Sequence, residues 1–338
     1  MKRLVCALLL LSLLLAGCAP EAEKKQFNAT YLTLFDTVTT IVGKAVTKED
    51  FQAQAQQIHD ELLVYHQLFD IYNEYEGITN LKTINNKAGT GPVAVDRTII
   101  DLLLDCKEYY RLPGGRVNVA MGSVLQLWHE ARNDGINDPV NAYLPKTELL
   151  DAAAEHVSID AVIIDETNNT VEITDPLVQL DVGAIAKGWS VQRVAENSPE
   201  GLLISVGGNV CATGPKEENS PWVVGIQDPD GGEAHLHTLY VSRESVVTSG
   251  DYQRGYWVEG QLYHHLIDPD TLFPGRYWRS VSIVCNDSGL ADALSTALFL
   301  LPLEEGQALL ETCGAEALWV DAQGQLFYSP GFQQLIRT

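Results

Sequence analysis

The chain has 338 residues and a formal net charge of −23, with 46% hydrophobic and 20% charged residues. A chain of this length and apolar content can bury a large core, as one large domain or as two lobes. The acidic balance argues against a nucleic-acid partner, which requires basic patches, and against electrostatic adhesion to anionic lipid.

The first residues have the features of a bacterial lipoprotein signal. Lys2 and Arg3 precede an apolar run, and Leu-Ala-Gly-Cys at 15–18 matches the lipoprotein cleavage box. We therefore predict a signal peptide at 1–17, lipidation of Cys18 with acyl chains such as palmitate, and a tether at 18–29. The protein would then lie on the extracytoplasmic face of the cell membrane. The alternative is a plain secretory signal with a chance cysteine.

The other cysteines show no metal-binding spacing. Cys106, Cys211, Cys285 and Cys313 are far apart, and no C-x-x-C occurs. Buried thiols are the more common outcome for such cysteines, although this compartment would permit a disulfide between Cys211 and Cys285.

Residues 30–338 contain no repeat and no low-complexity linker, which favours a single mature domain. Alternating apolar and polar residues predict paired strands at 30–46, and Thr47 caps a long predicted helix over 48–69. Residues 81–86 suggest a surface loop. Further patterns predict helices at 96–110 and 146–156, a polar insertion at 133–143, and a hairpin at 157–174.

The stretch at 181–188 joins an apolar run at 176–180, predicted to be a buried strand, to a predicted helix at 189–196. Gly183 and Gly188 let backbone approach a ligand, Lys187 adds a positive charge, and the helix start favours an anion. No Walker sequence is present. The alternative is an ordinary turn with a surface lysine.

Two further segments carry polar groups. Residues 248–250 offer hydroxyls and bare backbone that could hold phosphate or ribose. His264 and His265 adjoin in a predicted short strand and therefore face opposite sides. His265 is the best candidate general acid or base, unless both histidines serve only as structural hydrogen-bonding groups.

An apolar helix predicted at 288–300, with Ser288 as its cap, carries Asp292 and Thr296 on one face. A carboxylate and a hydroxyl so placed suit a hard cation such as Mg²⁺, and a carbonyl from the 181–188 bend could complete the ligand set. The alternative is an acid that answers the helix dipole and a threonine bonded back to its own helix. The absence of G-x-S-x-G argues against a serine hydrolase.

Taken together, these segments resemble the ApbE-type FAD:protein FMN transferases. The family's blocks read roughly D-x-G-x-x-A-K-G, G-G-N, T-S-G-D-Y-x-R, H-x-I-D-P-x-T-G-x-P and A-D-x-L-x-T. This chain carries them in that order, and weaker agreement at Phe35-Asp36-Thr37, Tyr72 and Asn118 extends the resemblance over most of the mature chain. The matching segments are 181–188, 207–209, 248–254, 265–274 and 291–296.

The resemblance implies an α+β fold that is bilobed, with mixed or antiparallel sheets packed by helices. It implies Mg²⁺-dependent transfer of FMN from FAD to a serine or threonine hydroxyl of an acceptor protein, with release of AMP. The acceptors would be membrane electron-transfer subunits. The implied metal ligands are Asp292, Thr296 and the carbonyl of Ala184.

The resemblance also implies which residues contact FAD. Asp181, Lys187 and His265 would contact FAD or its phosphates, with His265 as the proton acceptor. The residues implied on the flavin or adenine side are Tyr72, Phe35, Arg116, Val117 and Asn118. The sequence departs from the family pattern at Leu272, where glycine is usual, and at Asn118, where aspartate is common.

Two other functions are compatible with the same residues. A metal-dependent FAD pyrophosphatase would use water as the nucleophile and release FMN and AMP. A lipid-anchored flavin-binding protein would hold FAD without turning it over.

Overall fold

A computed structural model of the chain describes residues 23–112, 115–218, 220–232 and 234–338. The predicted signal peptide and Cys18 lie outside these ranges, so their processing and lipidation stay predictions. Within the described residues, no helix combines the length and the apolar run that a bilayer crossing requires.

The elements alternate between short groups of helices and longer runs of strands. The α-helices are α1 (Lys48–Phe69), α2 (Leu81–Asn86), α3 (Arg97–Arg111), α4 (Gly122–Asn137), α5 (Thr147–Ala154), α6 (Ala186–Asn197), α7 (Ser288–Phe299) and α8 (Leu303–Cys313). The first strands are β1 (Lys25–Leu34), β2 (Thr37–Ala45), β3 (Val93–Ala94), β4 (Val162–Asp165), β5 (Thr170–Ile173), β6 (Leu202–Val206), β7 (Asn209–Ala212) and β8 (Trp222–Gln227). The remaining strands are β9 (His235–Val241), β10 (Ser245–Gly250), β11 (Gly255–Val258), β12 (Gln261–His264), β13 (Ser280–Cys285), β14 (Glu316–Val320) and β15 (Leu326–Tyr328).

An eight-stranded sheet in the order β1-β2-β6-β7-β10-β13-β14-β15 forms the centre of the fold. Its neighbouring strands are all antiparallel, as are those of the smaller sheets β3-β5-β4, β8-β9 and β11-β12. Helices pack on antiparallel sheets, so the predicted α+β class is confirmed. The prediction allowed either mixed or antiparallel sheets, and the named strands pair only in the antiparallel direction.

Several local predictions agree with the structure. Helix α1 spans the predicted residues, and the Thr47 side chain accepts a hydrogen bond from the Asp50 N–H. The side chain of Asp96 caps α3 through the N–H of Thr98. Cys106, Cys211 and Cys285 are buried and Cys313 is half-buried, all as free thiols.

The predicted strand at 176–180 is wrong. Only Gln179 forms a bridge, with Met121, although Val178 and Leu180 are buried as a strand prediction requires. The side chain of Asn85 satisfies the backbone of Leu180 in place of a neighbouring strand: its amide donates to the Leu180 carbonyl at 2.9 Å and accepts from the Leu180 N–H at 2.7 Å.

Four predicted boundaries or elements also change. Residues 81–86 form helix α2 instead of a surface loop, because Asn80 and Thr83 make a capping box and Leu81 and Ile84 are buried. Helix α4 continues to Asn137, through the first part of the predicted polar insertion. Strand β1 starts inside the segment predicted as tether, since residues 25–31 pair with β2. The cap of α7 is Asp287, whose side chain accepts from the Leu290 N–H at 2.9 Å, and not Ser288.

Helix α7 is the central helix of the core. It packs on β10 and β13 and lies beside α6. The contact between α6 and α7 is very close at Gly188, because a Cβ atom there would lie 2.2 Å from the carbonyl oxygen of Ser288 and 2.5 Å from the Cβ of Asp292. A residue with a side chain at position 188 would force the two helices apart.

We predict that Gly188→Ala lowers the free energy of unfolding by about 1–3 kcal/mol. The new methyl group would meet backbone atoms, and the packed helices cannot relax around it. Denaturant unfolding measures this change. Gly306→Ala on α8 is the control: its Cβ would meet Trp319 at an ordinary 3.4 Å, so helix propensity makes this change neutral or stabilising. Equal stability of the two variants would contradict the close crossing.

Candidate active site

Asp292 links helix α7 to the bend that starts α6. Its side chain is 4% exposed, and its Oδ2 accepts the backbone N–H of Gly188 at 2.8 Å. The ammonium group of Lys187 lies 3.6 Å from the same oxygen. The hydrogen bond from a backbone N–H and the charge of a nearby ammonium group fix the position of this buried carboxylate. The bend and the helix face that the sequence singled out are therefore in direct contact.

Thr296 lies one turn further along α7, on the face that carries Asp292, and is 9% exposed. Among the described residues its hydroxyl has no hydrogen-bond partner, and the carbonyl of Asp292 instead accepts from the Ser295 hydroxyl at 2.8 Å. The back-bonded threonine considered above is therefore not what the structure contains. A carboxylate and a free hydroxyl together supply the oxygen ligands that Mg²⁺ requires.

The predicted ligand set differs from a cluster of acids and histidines. The described residues contain no group of three or more His, Cys, Asp or Glu that could hold a metal ion. The predicted ligand set of Asp292, Thr296 and the Ala184 carbonyl contains only one acidic side chain and no histidine or cysteine. It is therefore a different kind of site from such a cluster. Ala184 lies in the same bend as Lys187, half-buried against the core. Its role as a ligand stays a prediction.

A chain of contacts runs from this centre to Asp181. The ammonium group of Lys187 donates to the carbonyl of Gly183 at 3.4 Å, and the N–H of Gly183 donates to Asp181 Oδ1 at 2.8 Å. Lys187 belongs to the first turn of α6, which follows Ile185 at the N-cap position. The bend therefore places an aspartate, a lysine and the positive end of a helix within a few residues of Asp292.

The same chain continues to His129, which sequence analysis missed. His129 Nε2 lies 3.9 Å from Asp181 Oδ2, and its Nδ1 is 3.0 Å from the hydroxyl of Tyr72. Burial lowers the pKa of His129, so the ring favours its neutral form. The pKa of Tyr72 is raised to about 12 by burial of the hydroxyl and by the charge of Asp181. His129 and Arg132 are three apart on α4, and this spacing, which places two residues on one helix face, was the available signal.

Of the histidine pair, His265 has the free ring. His264 is buried and its Nε2 is 2.9 Å from the carbonyl of Gly275, so it serves packing. His265 lines a small cavity with His129 and Arg132, and its Nδ1 is buried with no partner among the described residues. Burial, followed by the charge of Arg254, lowers the pKa of His265 to about 3. The ring is therefore neutral at neutral pH, as a proton acceptor must be.

Residues 116–118 were expected beside the flavin or the adenine, and their side chains are engaged within the protein. Arg116 forms an ion pair with Asp268 at 2.9 Å and thereby holds the segment that follows His265. Val117 is buried. The amide of Asn118 donates to the Val157 carbonyl at 2.7 Å and accepts the Ala120 N–H at 2.9 Å. No observation assigns these residues a contact with FAD, which stays a prediction.

Phe35 and Leu272 share an unusual backbone conformation. Phe35 has φ of 51° in the turn between β1 and β2, and its N–H donates to His66 Nδ1 at 3.3 Å. Leu272, which stands where the family usually has glycine, has φ of 62°. Glycine adopts such angles without steric cost, which gives a physical reason for the usual residue. The loop keeps this conformation with leucine, while the Leu272 carbonyl accepts from Trp128 Nε1 at 2.9 Å.

The hydroxyls at 248–249 hold the fold together instead of facing a ligand. Thr248 Oγ1 lies 2.7 Å from Ser282 Oγ on the neighbouring strand, and Ser249 Oγ lies 2.8 Å from Ser295 Oγ on α7. Ser295 in turn donates to the Asp292 carbonyl. The Thr248 contact joins β10 to β13, and the Ser249 contact holds α7 against β10, which supports the position of Asp292.

Comparison with known proteins identifies the family to which the chain belongs. A sequence profile described as the ApbE family matches residues 35–319. The chain is 34% identical over 278 residues to a FAD:protein FMN transferase of Treponema pallidum (strain Nichols), which covers 76% of this chain and 75% of that protein. It is also 32% identical over 265 residues to a FAD:protein FMN transferase of Klebsiella pneumoniae (strain 342), with 75% and 79% covered. The chain belongs to the ApbE family.

Solved structures show the same fold. The ApbE protein from Thermotoga maritima superposes with a TM-score of 0.81 at 28% identity, over 94% of this chain and 100% of that one. The flavin transferase ApbE from Vibrio cholerae gives a TM-score of 0.77 over 93% of this chain and 100% of that one; at 22% identity this likeness concerns the fold alone.

The low pKa of His265 makes stability depend on pH. Between its usual value of about 6.5 and about 3, the unfolded chain binds a proton that the folded protein does not. The free energy of unfolding therefore falls as pH falls through this window. We predict that His265→Gln weakens this acid dependence, measured by denaturant unfolding at several pH values. The exposed His235 provides the control substitution, His235→Gln. An unchanged slope in His265→Gln would contradict the burial of a neutral ring.

Proposed function

We propose that this protein transfers FMN from FAD to a serine or threonine hydroxyl of an acceptor protein and releases AMP. Membership of the ApbE family supports the transferase chemistry, and the relatives named above carry that description. The observation that carries the proposal for this chain is the contact of Asp292 with Gly188 and Lys187. This contact brings the α7 face that carries Asp292 and Thr296, which can bind a metal ion, next to the 181–188 bend, which can bind an anion. Binding of the FAD diphosphate together with a metal ion requires both groups.

The residues present suit a magnesium ion. Asp292, Thr296 and the carbonyl of Ala184 would hold it, and Lys187 would move from the carboxylate toward the phosphates. A bound Mg²⁺ would neutralise charge on the diphosphate and favour departure of the AMP phosphate. The ammonium group of Lys187 and the start of α6 would bind the same phosphates and fix their orientation.

His265 would take the proton of the acceptor hydroxyl. The hydroxyl oxygen forms a bond to the phosphorus of the FMN half, and the bond from that phosphorus to the AMP phosphate breaks. The proton goes to the neutral imidazole, and AMP carries away the bonding electrons. The charge of a bound diphosphate would raise the pKa of His265 from its low value in the free protein, which makes the ring a better base.

The flavin or adenine end would lie toward Tyr72. This side chain is 58% exposed and is held by its hydroxyl at His129, so its ring can pack on a flat ligand. Phe35 and the 116–118 segment would form the remaining border, as the family resemblance implies. Asp181, held by the Gly183 N–H, would accept hydrogen bonds from FAD.

We further propose that the protein works at the cell membrane, on its extracytoplasmic face. The sequence at 15–18 supports a lipid anchor at Cys18. Because the net charge of −23 opposes electrostatic binding to anionic lipid, the anchor would be the means by which the protein attaches to the membrane. Acceptors would then be subunits of membrane electron-transfer complexes with an exposed serine or threonine.

We predict that Asp292→Asn lowers flavin transfer by at least about a hundredfold, because the charge that faces the metal is lost. Asparagine keeps an oxygen for the Gly188 N–H, so the fold should persist. The protein without its predicted signal peptide and lipidated Cys18 is incubated with FAD, Mg²⁺ and candidate acceptor proteins. Labelling of the acceptor is measured by in-gel flavin fluorescence. Glu305→Gln, an exposed acid on α8, is the control and should leave labelling unchanged.

Product analysis separates the alternatives in the same assay. Transfer gives labelled acceptor and AMP, and chelation of Mg²⁺ should stop it. Equal FMN and AMP release with and without acceptor would instead indicate a pyrophosphatase. Tight FAD binding with FAD left intact, and no effect of Asp292→Asn, would indicate a flavin-binding protein.

We predict that His129→Phe raises the KM for FAD by roughly tenfold, since Tyr72 loses the hydrogen bond that holds it beside Asp181. The kcat should change less, because the polar contacts of His129 among the described residues are with Tyr72 and Asp181 and not with the proposed metal ligands. Saturation kinetics in FAD measure both constants. His129→Gln, which can bond the tyrosine hydroxyl, should recover part of the loss. A variant that loses only kcat would contradict a positioning role.

A further inference from the structure

Arg132 and Arg254 are cations without an acid partner among the described residues. Most of the other described arginines form ion pairs, as Arg116 does with Asp268 and Arg193 with Asp105, although Arg276 and Arg337 do not. The chain carries 45 acidic residues against 22 basic ones, so an unpaired arginine is not the result of a shortage of acids. Two unpaired arginines in one region therefore need a separate explanation.

Both arginines lie beside His265. The pairing of β11 with β12 ends at Gly255 and His264, and Arg254 and His265 are the residues next to that last pair. The charge of Arg254 is the second cause, after burial, of the low pKa of His265, which places the two groups near each other. Arg132, on α4, lines the same small cavity as His265. Helix α4 holds this place because it packs tightly on β11, where a Cβ on Gly135 would lie 2.6 Å from the ring of Tyr256.

This placement is electrostatically costly for the free protein. Burial lowers the pKa of Arg132 and is the largest cause; the charge of Arg254 lowers it further, and the charge of Asp181 offsets part of this effect. Nδ1 of His265 adds a buried polar atom that has no hydrogen-bond partner in the part of the chain that the structure describes. Like charges and an unpartnered ring nitrogen at one point are typical of a site that an anionic ligand completes.

We propose that Arg132 and Arg254 bind a carboxylate of the acceptor protein, on a residue close to the hydroxyl that receives FMN. This inference rests on the proposed transferase function. A planar guanidinium matches a carboxylate with two parallel hydrogen bonds, and two arginines can hold one side chain in a fixed position. The acceptor hydroxyl would then be aligned with His265.

The placement favours the acceptor over FAD as the source of the anion. The phosphates of FAD already have Lys187, the start of α6 and the Asp292 face. Arg254 is exposed, so a protein substrate can reach its guanidinium group. The net negative charge of the enzyme repels acidic acceptor segments in general. The local pair of arginines would therefore favour only those acceptors that have an acidic residue at the matching position.

The test uses a library of short peptides, each with one threonine and with varied flanking residues, displayed and sorted by flavin fluorescence after incubation with the enzyme, FAD and Mg²⁺. With the wild-type enzyme we expect enrichment of aspartate or glutamate beside the threonine. With Arg254→Gln and Arg132→Gln we expect this preference to disappear, and the KM for an acidic peptide to rise by roughly tenfold. The KM for FAD should stay within a factor of about two.

Arg337→Gln is the matched control, because Arg337 is an exposed arginine with no ion pair among the described residues and lies near the C-terminus. It should keep the wild-type preference. A charge exchange adds a second arm: Arg254→Glu should label peptides with lysine in place of the acid better than the wild-type enzyme does.

Three results would overturn the subsite. The wild type could label peptides without any acidic preference, the arginine variants could keep that preference, or they could raise the KM for FAD instead, which would assign the arginines to the phosphates. Failure of the wild type to label any peptide or acceptor protein would count against the transferase function itself, and with it against the subsite.

Discussion

The hydrogen bond from the Gly188 N–H to the carboxylate of Asp292 connects the two parts of the site. It forms only because α6 and α7 cross with no side chain between them at position 188. The crossing buries Asp292 against a backbone donor and leaves Lys187 beside it. Every proposed role of the metal face and of the anion-binding bend requires these two helices to meet in this way.

Around that crossing, the protein concentrates positive charge within an acidic chain. Lys187, Arg132 and Arg254 all contribute to the low pKa of His265, together with its burial, which is the larger cause. A neutral imidazole among cations is suited to bind an anion first and to accept a proton afterwards. The same arrangement explains why a negatively charged diphosphate would increase the basicity of His265 when it binds.

The sheet provides the rigid support for these groups. Ser249 on β10 contacts Ser295 on α7, and Ser295 holds the Asp292 carbonyl, so the strand fixes the helix from below. The side chain of Asn85, on α2, hydrogen-bonds both the N–H and the carbonyl of Leu180. These bonds fix the position at which the 181–188 bend begins. Polar side chains that sequence analysis assigned to ligand binding, or left in a loop, therefore stabilise the elements that carry the site.

The sequence by itself determined the elements with strong local signals, such as α1 with its Thr47 cap, and the ordered blocks that carry the resemblance to the ApbE family. Those signals are local because periodicity, caps and glycines act within a few residues. Only the tertiary structure decided that 176–180 is not a strand, that His129 and Arg132 line a cavity with His265, and that Arg254 is close enough to lower its pKa. These facts depend on contacts between segments far apart in the chain, which no local pattern encodes.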